Sequence, residues 1–170
     1  MSSLAHAESL IRTIPDYPEP GVQFRDITPL LSDAAALRAV IDAMIEPFAG
    51  KFDVVAGVEA RGFLLAGAIA IAAGTGLVPI RKAGKLPRPA ASVSYALEYG
   101  TAVIEAHDDV PPGTRMLLVD DVLATGGTLV AAHELARALG IVVVGTTVLM
   151  ELEALGGRQV VGDVHAVFAA

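Results

Sequence analysis

One segment limits what this chain can become more than any other: Met116-Leu-Leu-Val-Asp-Asp-Val-Leu-Ala-Thr-Gly-Gly-Thr128. Arg115 to Asp121 reads as a strand whose apolar stretch, Met116 to Val119, suits burial in a parallel sheet. Two adjacent carboxylates, Asp120 and Asp121, stand where that strand is expected to end. Like charges at the edge of a core repel, so the pair calls for a cationic or hydroxyl-rich partner. Ala124-Thr125-Gly126-Gly127-Thr128 then opens a helix marked by Leu129, Ala132, Leu135, Ala136 and Leu139, with Gly140 as its stop. Free amides at a helix N-terminus, glycines that permit close approach and hydroxyls beside them together bind phosphate. Read blandly, the loop is a turn and Asp120 a helix cap. The buried strand and the two carboxylates ahead of it favour a site for a phosphorylated sugar.

The remaining chain repeats this alternation. Phe52 to Val58 reads as a strand, Arg61 to about Ala73 as a helix stopped by Gly74 and Gly76, and Leu77 to Arg81 as a strand. Ile141 to Met150 forms a further strand after the 127–139 helix. Strand, helix, strand, given twice, implies an α/β protein with a mainly parallel twisted sheet flanked by helices. Such sheets bind ligands at the carboxyl ends of their strands. Ser92–Tyr95 and Thr101–Ala106 can pair as short antiparallel strands. Near the N-terminus, Glu8 to Thr13 reads as the end of a short helix halted by Pro15. The turn-rich stretch from Pro15 to Pro29 reads as a hood loop. Ser32 or Asp33 can cap a helix running to about Glu46.

Composition removes several function classes. The 170 residues fit one domain of ordinary size. The net charge of -7 gives no general help in binding nucleic acid, so no nucleic-acid partner is expected. There is no cysteine, which excludes disulfides, thiolate zinc sites and cysteine nucleophiles and suits a cytoplasmic setting. The N-terminus lacks the pattern of a signal peptide. The uncharged run from Gly62 to Ile80 approaches a membrane span in length, but its glycines and Pro79 mark it as helix, turn and strand, so no membrane association is expected. His6, His107, His133 and His165 show no metal-ligand spacing. Neither Gly50-Lys51-Phe52 nor Gly84-Lys85-Leu86 carries the hydroxyl residue of a P-loop, and no strand precedes Gly-x-Gly-x-x-Gly.

Leu117 to Thr128 resembles the phosphoribosyl-pyrophosphate signature of the type I phosphoribosyltransferases. Four further segments resemble the adenine phosphoribosyltransferase family in the expected order. Asp16 to Leu31 is similar to its base-binding hood, and Gly57-Val-Glu-Ala-Arg-Gly-Phe63 to its pyrophosphate loop. Arg81-Lys82-Ala-Gly-Lys85-Leu-Pro87 and Ser94-Tyr-Ala-Leu-Glu-Tyr-Gly100 are similar to the two ends of its mobile catalytic loop. The resemblance implies a type I phosphoribosyltransferase fold, with a helix and hood over residues 1–31. A core over 32–170 would carry a mobile loop at about 82–99.

It further implies transfer of the 5-phosphoribosyl group from phosphoribosyl pyrophosphate to adenine, giving AMP and pyrophosphate in purine salvage, with Mg²⁺ as cofactor. Residues Ala124, Thr125, Gly126, Gly127, Thr128 and Leu129 would anchor the 5-phosphate, and Asp120 and Asp121 would hold the ribose hydroxyls. Glu59, Ala60, Arg61 and Gly62 would meet pyrophosphate, Arg61 by a forked contact. An arginine at a helix N-terminus opposes the macrodipole, which an anionic ligand would offset. The basic cluster Arg81, Lys82 and Lys85 would also contact pyrophosphate, partly across the interface of a homodimer. Gln23, Phe24 and Arg25 would hold the base, Phe24 by its ring face and its neighbours by backbone. Glu98 would handle a purine proton and Tyr99 would cover the site. No side chain is assigned as a direct metal ligand. Three places depart from the family pattern: Gln23 where an apolar residue is frequent, Arg88-Pro89-Ala90 within the loop, and the plain C-terminus. Two rival readings remain open, a related transferase for another base and a non-catalytic regulator that senses the same sugar phosphate.

Overall fold

The computed structural model describes residues 3–97 and 100–170. The chain forms two compact units, Met1–Ala43 and Met44–Ala170.

In the first unit, α1 (Ser3–Ser9) is followed by β1 (Arg12–Pro15) and β2 (Gln23–Asp26), then by α2 (Thr28–Leu31) and α3 (Ala34–Ile45), which carries the chain into the second unit. The expected helix end at 8–13 is corrected here: Arg12–Pro15 is a strand, paired antiparallel with β2 from Arg12↔Asp26 to Pro15↔Gln23. Pro15 closes the hairpin strand rather than a helix. It lacks an N–H and so is tolerated only where no ladder bond is needed from it. Asp33 is the residue that caps α3, accepting the Ala36 N–H at 2.9 Å.

The second unit is built on a seven-stranded sheet. Its elements are β3 (Val54–Val58), α4 (Arg61–Ala73), β4 (Gly76–Lys82), β5 (Ala91–Leu97), β6 (Gly100–Ala106), β7 (Arg115–Leu123), α5 (Gly127–Ala138), β8 (Val142–Glu151), α6 (Gly157–Val161) and β9 (His165–Ala169). The strand order is β5-β6-β4-β3-β7-β8-β9. The run from β4 to β9 is parallel, while β6 joins β4 and β5 in antiparallel fashion. The sheet is thus mainly parallel, as its apolar strands require.

Burial explains why this arrangement holds. Every residue of β3 is buried, and so are Met116 to Asp121 of β7. Leu65 and Ile69 of α4 and Leu129 and Leu135 of α5 are nearly or fully buried. Fully burying each such side chain contributes about 1.5–3 kcal/mol. α4 stops at Ala73 because Gly74 takes the left-handed conformation, φ 69°, as a C-cap.

The chain leaves β3 toward β4 on one side, while β7 leads toward β8 on the other. The strand order therefore reverses between β3 and β7. Both strands end beside the resulting crevice, where open parallel sheets hold their ligands. Among the described residues no helix is long and apolar enough to cross a membrane.

Candidate active site

The residues after β3 and the end of β7 meet at this crevice. Asp120 and Asp121 lie within β7 rather than at its last position, because the strand runs two residues further, to Leu123, pairing Val122↔Met150 and Leu123↔Glu151 with β8. Both carboxylates are buried to below a tenth exposure. Burial pushes the Asp120 carboxyl well above the usual range, and the adjacent Asp121 charge adds to it. The Asp121 N–H donates to Asp120 Oδ1 at 2.8 Å. The cation that the pair calls for is Arg61, whose Nη2 lies 2.7 Å from Asp121 Oδ2.

Close packing brings these two loops together. A Cβ at Gly62 would lie 3.0 Å from Asp120 Oδ1 and 3.1 Å from the Val119 carbonyl oxygen. Only glycine lets the first turn of α4 come this near to β7. Gly62 therefore acts on the site by packing rather than by side-chain chemistry.

A second pair lies on the β4 side. Glu59 Oε2 accepts the Lys82 N–H at 2.9 Å and Arg81 Nε at 3.2 Å. These two contacts, the backbone one first, hold the Glu59 carboxyl below its usual range. The Arg81 guanidinium also stands over the Phe63 ring, 5.9 Å from its centroid. The Glu59–Ala60 peptide is cis.

Two adjoining chambers open at the crevice. One, of about 440 Å³, is bordered by Val58, Glu59, Ala60, Arg61, Lys82, Tyr95, Ala102, Ile104, Asp120, Asp121 and Thr128. The other, of about 60 Å³, is bordered by Asp120, Val122, Leu123, Ala124, Thr125, Gly126, Thr128 and Leu129. Asp120 and Thr128 line both. At the smaller chamber Gly126 is the N-cap of α5, at φ 89°. The first helical bond runs from the Val130 N–H to the Gly126 carbonyl at 3.0 Å. The amides of Gly127, Thr128 and Leu129 precede that ladder and carry the positive end of the helix dipole. With no acidic residue in the first turn, the chamber suits a phosphate. The larger chamber offers carboxylates for sugar hydroxyls and cations for a second anionic group.

A site with helix-terminal amides at one end, a carboxylate pair in the middle and cations at the other end matches relatives of known kind. The model of the phosphoribosyl transferase domain matches residues 26–163. The adenine phosphoribosyltransferase of Renibacterium salmoninarum is 60% identical over 153 residues, which cover 89% of this chain and 84% of that protein. The chain belongs to the adenine phosphoribosyltransferase family. The crystal structure of the family member from Rhodothermus marinus superposes with a TM-score of 0.93 at 46% identity, covering 99% of this chain and 98% of that one. The enzyme from Giardia lamblia, complexed with 9-deazaadenine, gives a TM-score of 0.92 at 40% identity, covering 100% and 99% of the two chains.

Against this adenine phosphoribosyltransferase frame, the residues singled out in the sequence fall into groups. Glu59, Ala60, Arg61, Lys82, Asp120, Asp121 and Thr128 border one chamber, and Ala124, Thr125, Gly126 and Leu129 border the other. Gly127 is the first residue of α5 and borders neither. Arg81 is tied to Glu59, and Lys85 is exposed and borders neither chamber. Gln23, Phe24 and Arg25 form β2 of the first unit, with Phe24 edge-on to Tyr17 at 5.1 Å and Arg25 Nη1 donating to Thr13 Oγ1 at 2.6 Å. Glu98 and Tyr99 lie outside the described residues.

Sequence reasoning passed over Tyr95, which lines the larger chamber with its hydroxyl 3.3 Å from that of Thr128. It also passed over α6, whose Gly157 backs the phosphate loop. A Cβ at Gly126 would come within 2.8 Å of the Gly157 carbonyl oxygen. For Tyr95, the tyrosine at alternating position in β5 was the available signal.

Proposed function

We infer that this chain transfers the 5-phosphoribosyl group from phosphoribosyl pyrophosphate to adenine, releasing AMP and pyrophosphate. The carrying observation is the pair of chambers joined at Asp120 and Thr128, one lined by helix-terminal amides and the other by carboxylates and cations. The choice of adenine rests on the family membership and on the adenine analogue bound by the Giardia lamblia relative.

In this reading, the residues of the 124–128 loop hold the 5-phosphate by backbone amides and hydroxyls, and that remote grip positions the reacting carbon. Asp120 and Asp121 accept hydrogen bonds from the ribose hydroxyls and stand near carbon 1 as it gains positive character. Arg61 and Lys82 bind the pyrophosphate, with Arg61 exchanging its Asp121 partner for phosphate oxygens. Gln23, Phe24 and Arg25 hold the adenine. N9 of the base attacks carbon 1 as the bond to pyrophosphate breaks, Glu98 takes the purine proton and Tyr99 covers the site.

Phosphoribosyl pyrophosphate is taken as its magnesium complex. The carboxylate oxygens of Asp120 and Asp121 are hard donors that would suit that ion. Among the described residues no group of three histidine or acidic side chains is placed to hold a metal. Magnesium bound there would supply charge neutralisation on the leaving group.

The functional unit is a homodimer. Leu64 and Ile71 are 57% and 86% exposed and lie seven residues apart, on one face of α4. Arg81 stands over Phe63, next to Leu64 in sequence. An apolar strip of this kind suits a second copy of the chain. The cysteine-free composition suits a reducing cytoplasm.

Turnover with adenine, hypoxanthine, guanine and xanthine tests the base assignment. Adenine is expected to give the highest kcat/KM, and an equal or higher value for any of the other three would refute it. Glu98→Gln should lower kcat by about 10²-fold with the KM for phosphoribosyl pyrophosphate little changed, the scale of a lost general acid or base. Single-turnover chemistry within a few-fold of the parent would assign the proton elsewhere.

A further inference from the structure

We propose that Tyr95 is a positioning residue for the 5-phosphate, acting through the hydroxyl of Thr128. The proposal rests on reading the 124–128 loop as the phosphate nest.

Tyr95 stands on β5 and Thr128 is the second residue of α5. Their hydroxyls are 3.3 Å apart, and Tyr95 is half-buried. The contact belongs to a wider seam between strand and helix end. A Cβ at Gly127 would lie 3.4 Å from the Ala96 carbonyl oxygen and 3.6 Å from the Tyr95 ring. The strand therefore lies against the N-terminus of α5, where the phosphate amides are. Thr128 borders both chambers, whereas Tyr95 borders only the larger.

Hydroxyl chemistry gives this placement a consequence. A threonine hydroxyl has one proton to donate and two lone pairs. To donate to a phosphate oxygen it must turn that proton away from Tyr95. The tyrosine hydroxyl can then donate to the freed threonine oxygen. The two hydroxyls form a chain, Tyr95 to Thr128 to phosphate, in which each bond polarises the next toward the anion. Tyr95 fixes the Thr128 rotamer and strengthens it as a donor without itself reaching the phosphate.

The test is a double-mutant cycle with Tyr95→Phe and Thr128→Val in the full-length protein. The readouts are the Kd for AMP, the KM for phosphoribosyl pyrophosphate, the KM for adenine and kcat. Tyr95→Phe keeps the ring and its packing, and circular dichroism melting confirms that both variants fold. Tyr95→Phe is expected to weaken AMP binding and raise the KM for phosphoribosyl pyrophosphate by about 5-fold, the scale of one hydrogen bond. The KM for adenine should stay within 2-fold. In the Thr128→Val background, removing the Tyr95 hydroxyl should change AMP binding by less than 2-fold. Additive effects of the two substitutions, or AMP binding by Tyr95→Phe within 2-fold of the parent while Thr128→Val is weakened, would overturn the relay alone. Parental AMP affinity in Thr128→Val would overturn the relay and count against the side-chain part of the nest reading as well.

Discussion

In the proposed reading, the two ends of the crevice would hold anions by different means. At the α5 end the donors are backbone amides, and their positions are set by glycines packed against a neighbouring helix: Gly126 meets Gly157 and Val161 of α6. Arg158 of the same helix pins it from behind, forking to Glu151 and donating to the Val164 carbonyl at 2.6 Å. At the β3–β4 end the donors are side chains, and the two arginines among them already have ionic partners. Arg61 pairs with Asp121 and Arg81 with Glu59. At the first end, the amides of Gly127, Thr128 and Leu129 precede the helical ladder and would meet a phosphate directly. The second must trade one ionic partner for another, and so gains less net binding per contact. This suits a reaction in which the 5-phosphate stays put while pyrophosphate departs.

The comparison breaks most visibly at the rigid end. In Gly157→Ala the new methyl would overlap the Ala124 carbonyl oxygen and come within 2.7 Å of Leu123 Cδ1, so the phosphate loop has to move. Displacement of about 1 Å costs on the order of 10²-fold in rate. We expect a loss of that size in kcat/KM for phosphoribosyl pyrophosphate, together with about 1–3 kcal/mol of stability from overpacking. Steady-state kinetics and denaturant unfolding would read both, and parental kinetics would show that the loop is not held from α6.

The middle of the site offers a sharper, oppositely signed outcome. The Asp120 carboxyl is raised by burial in the folded protein. The folded state thus binds the proton more tightly than the unfolded one. Its stability falls as pH rises from about 3.9, the ordinary aspartate value, toward the raised folded value. Asp120→Asn keeps an oxygen to accept the Asp121 N–H and removes that penalty. Its melting temperature at neutral pH should exceed that of the parent, and its stability should lose this pH slope, while kcat/KM falls by about 10²-fold. A variant that loses stability along with activity would mean that the carboxylate serves the fold.

The smallest effect is expected at the side-chain end. Arg61→Lys keeps the charge but loses the planar fork. The KM for phosphoribosyl pyrophosphate should rise by about 10-fold, roughly the cost of a charge-assisted hydrogen bond. Stability should move by less than about 1 kcal/mol, because the Arg61 side chain is 36% exposed. A loss as large as that of Gly157→Ala would erase the contrast between the two ends.

What could be read from the chain alone follows from the range of the forces involved. The strand, glycine loop and helix from β7 to α5 were legible because they are contiguous. α4 was legible, since a Pro-free apolar run and the stop at Gly74 are local signals. The Arg61–Asp121 pair was not, because its members lie sixty residues apart and meet only where the strand order reverses. The β1–β2 hairpin escaped as well. Its first strand has four residues, all exposed, with no alternation to mark it. β7 extends past its aspartates because pairing with β8 carries Val122 and Leu123 along, and nothing in the local sequence encodes that partner. α6 and β9 were left unread, although β9 closes one edge of the sheet and α6 supports the loop.

Asp120 and Thr128 form a wall common to both chambers, and a common wall turns the crevice into a caliper. In the proposed reading, one jaw would grip a phosphate through backbone amides and the other would hold a second anion. A sugar whose two anionic groups are one bond further apart, about 1.5 Å, would seat one of them and miss the other. Selection among pentose phosphates can then be made by span alone, at atoms the protein never touches.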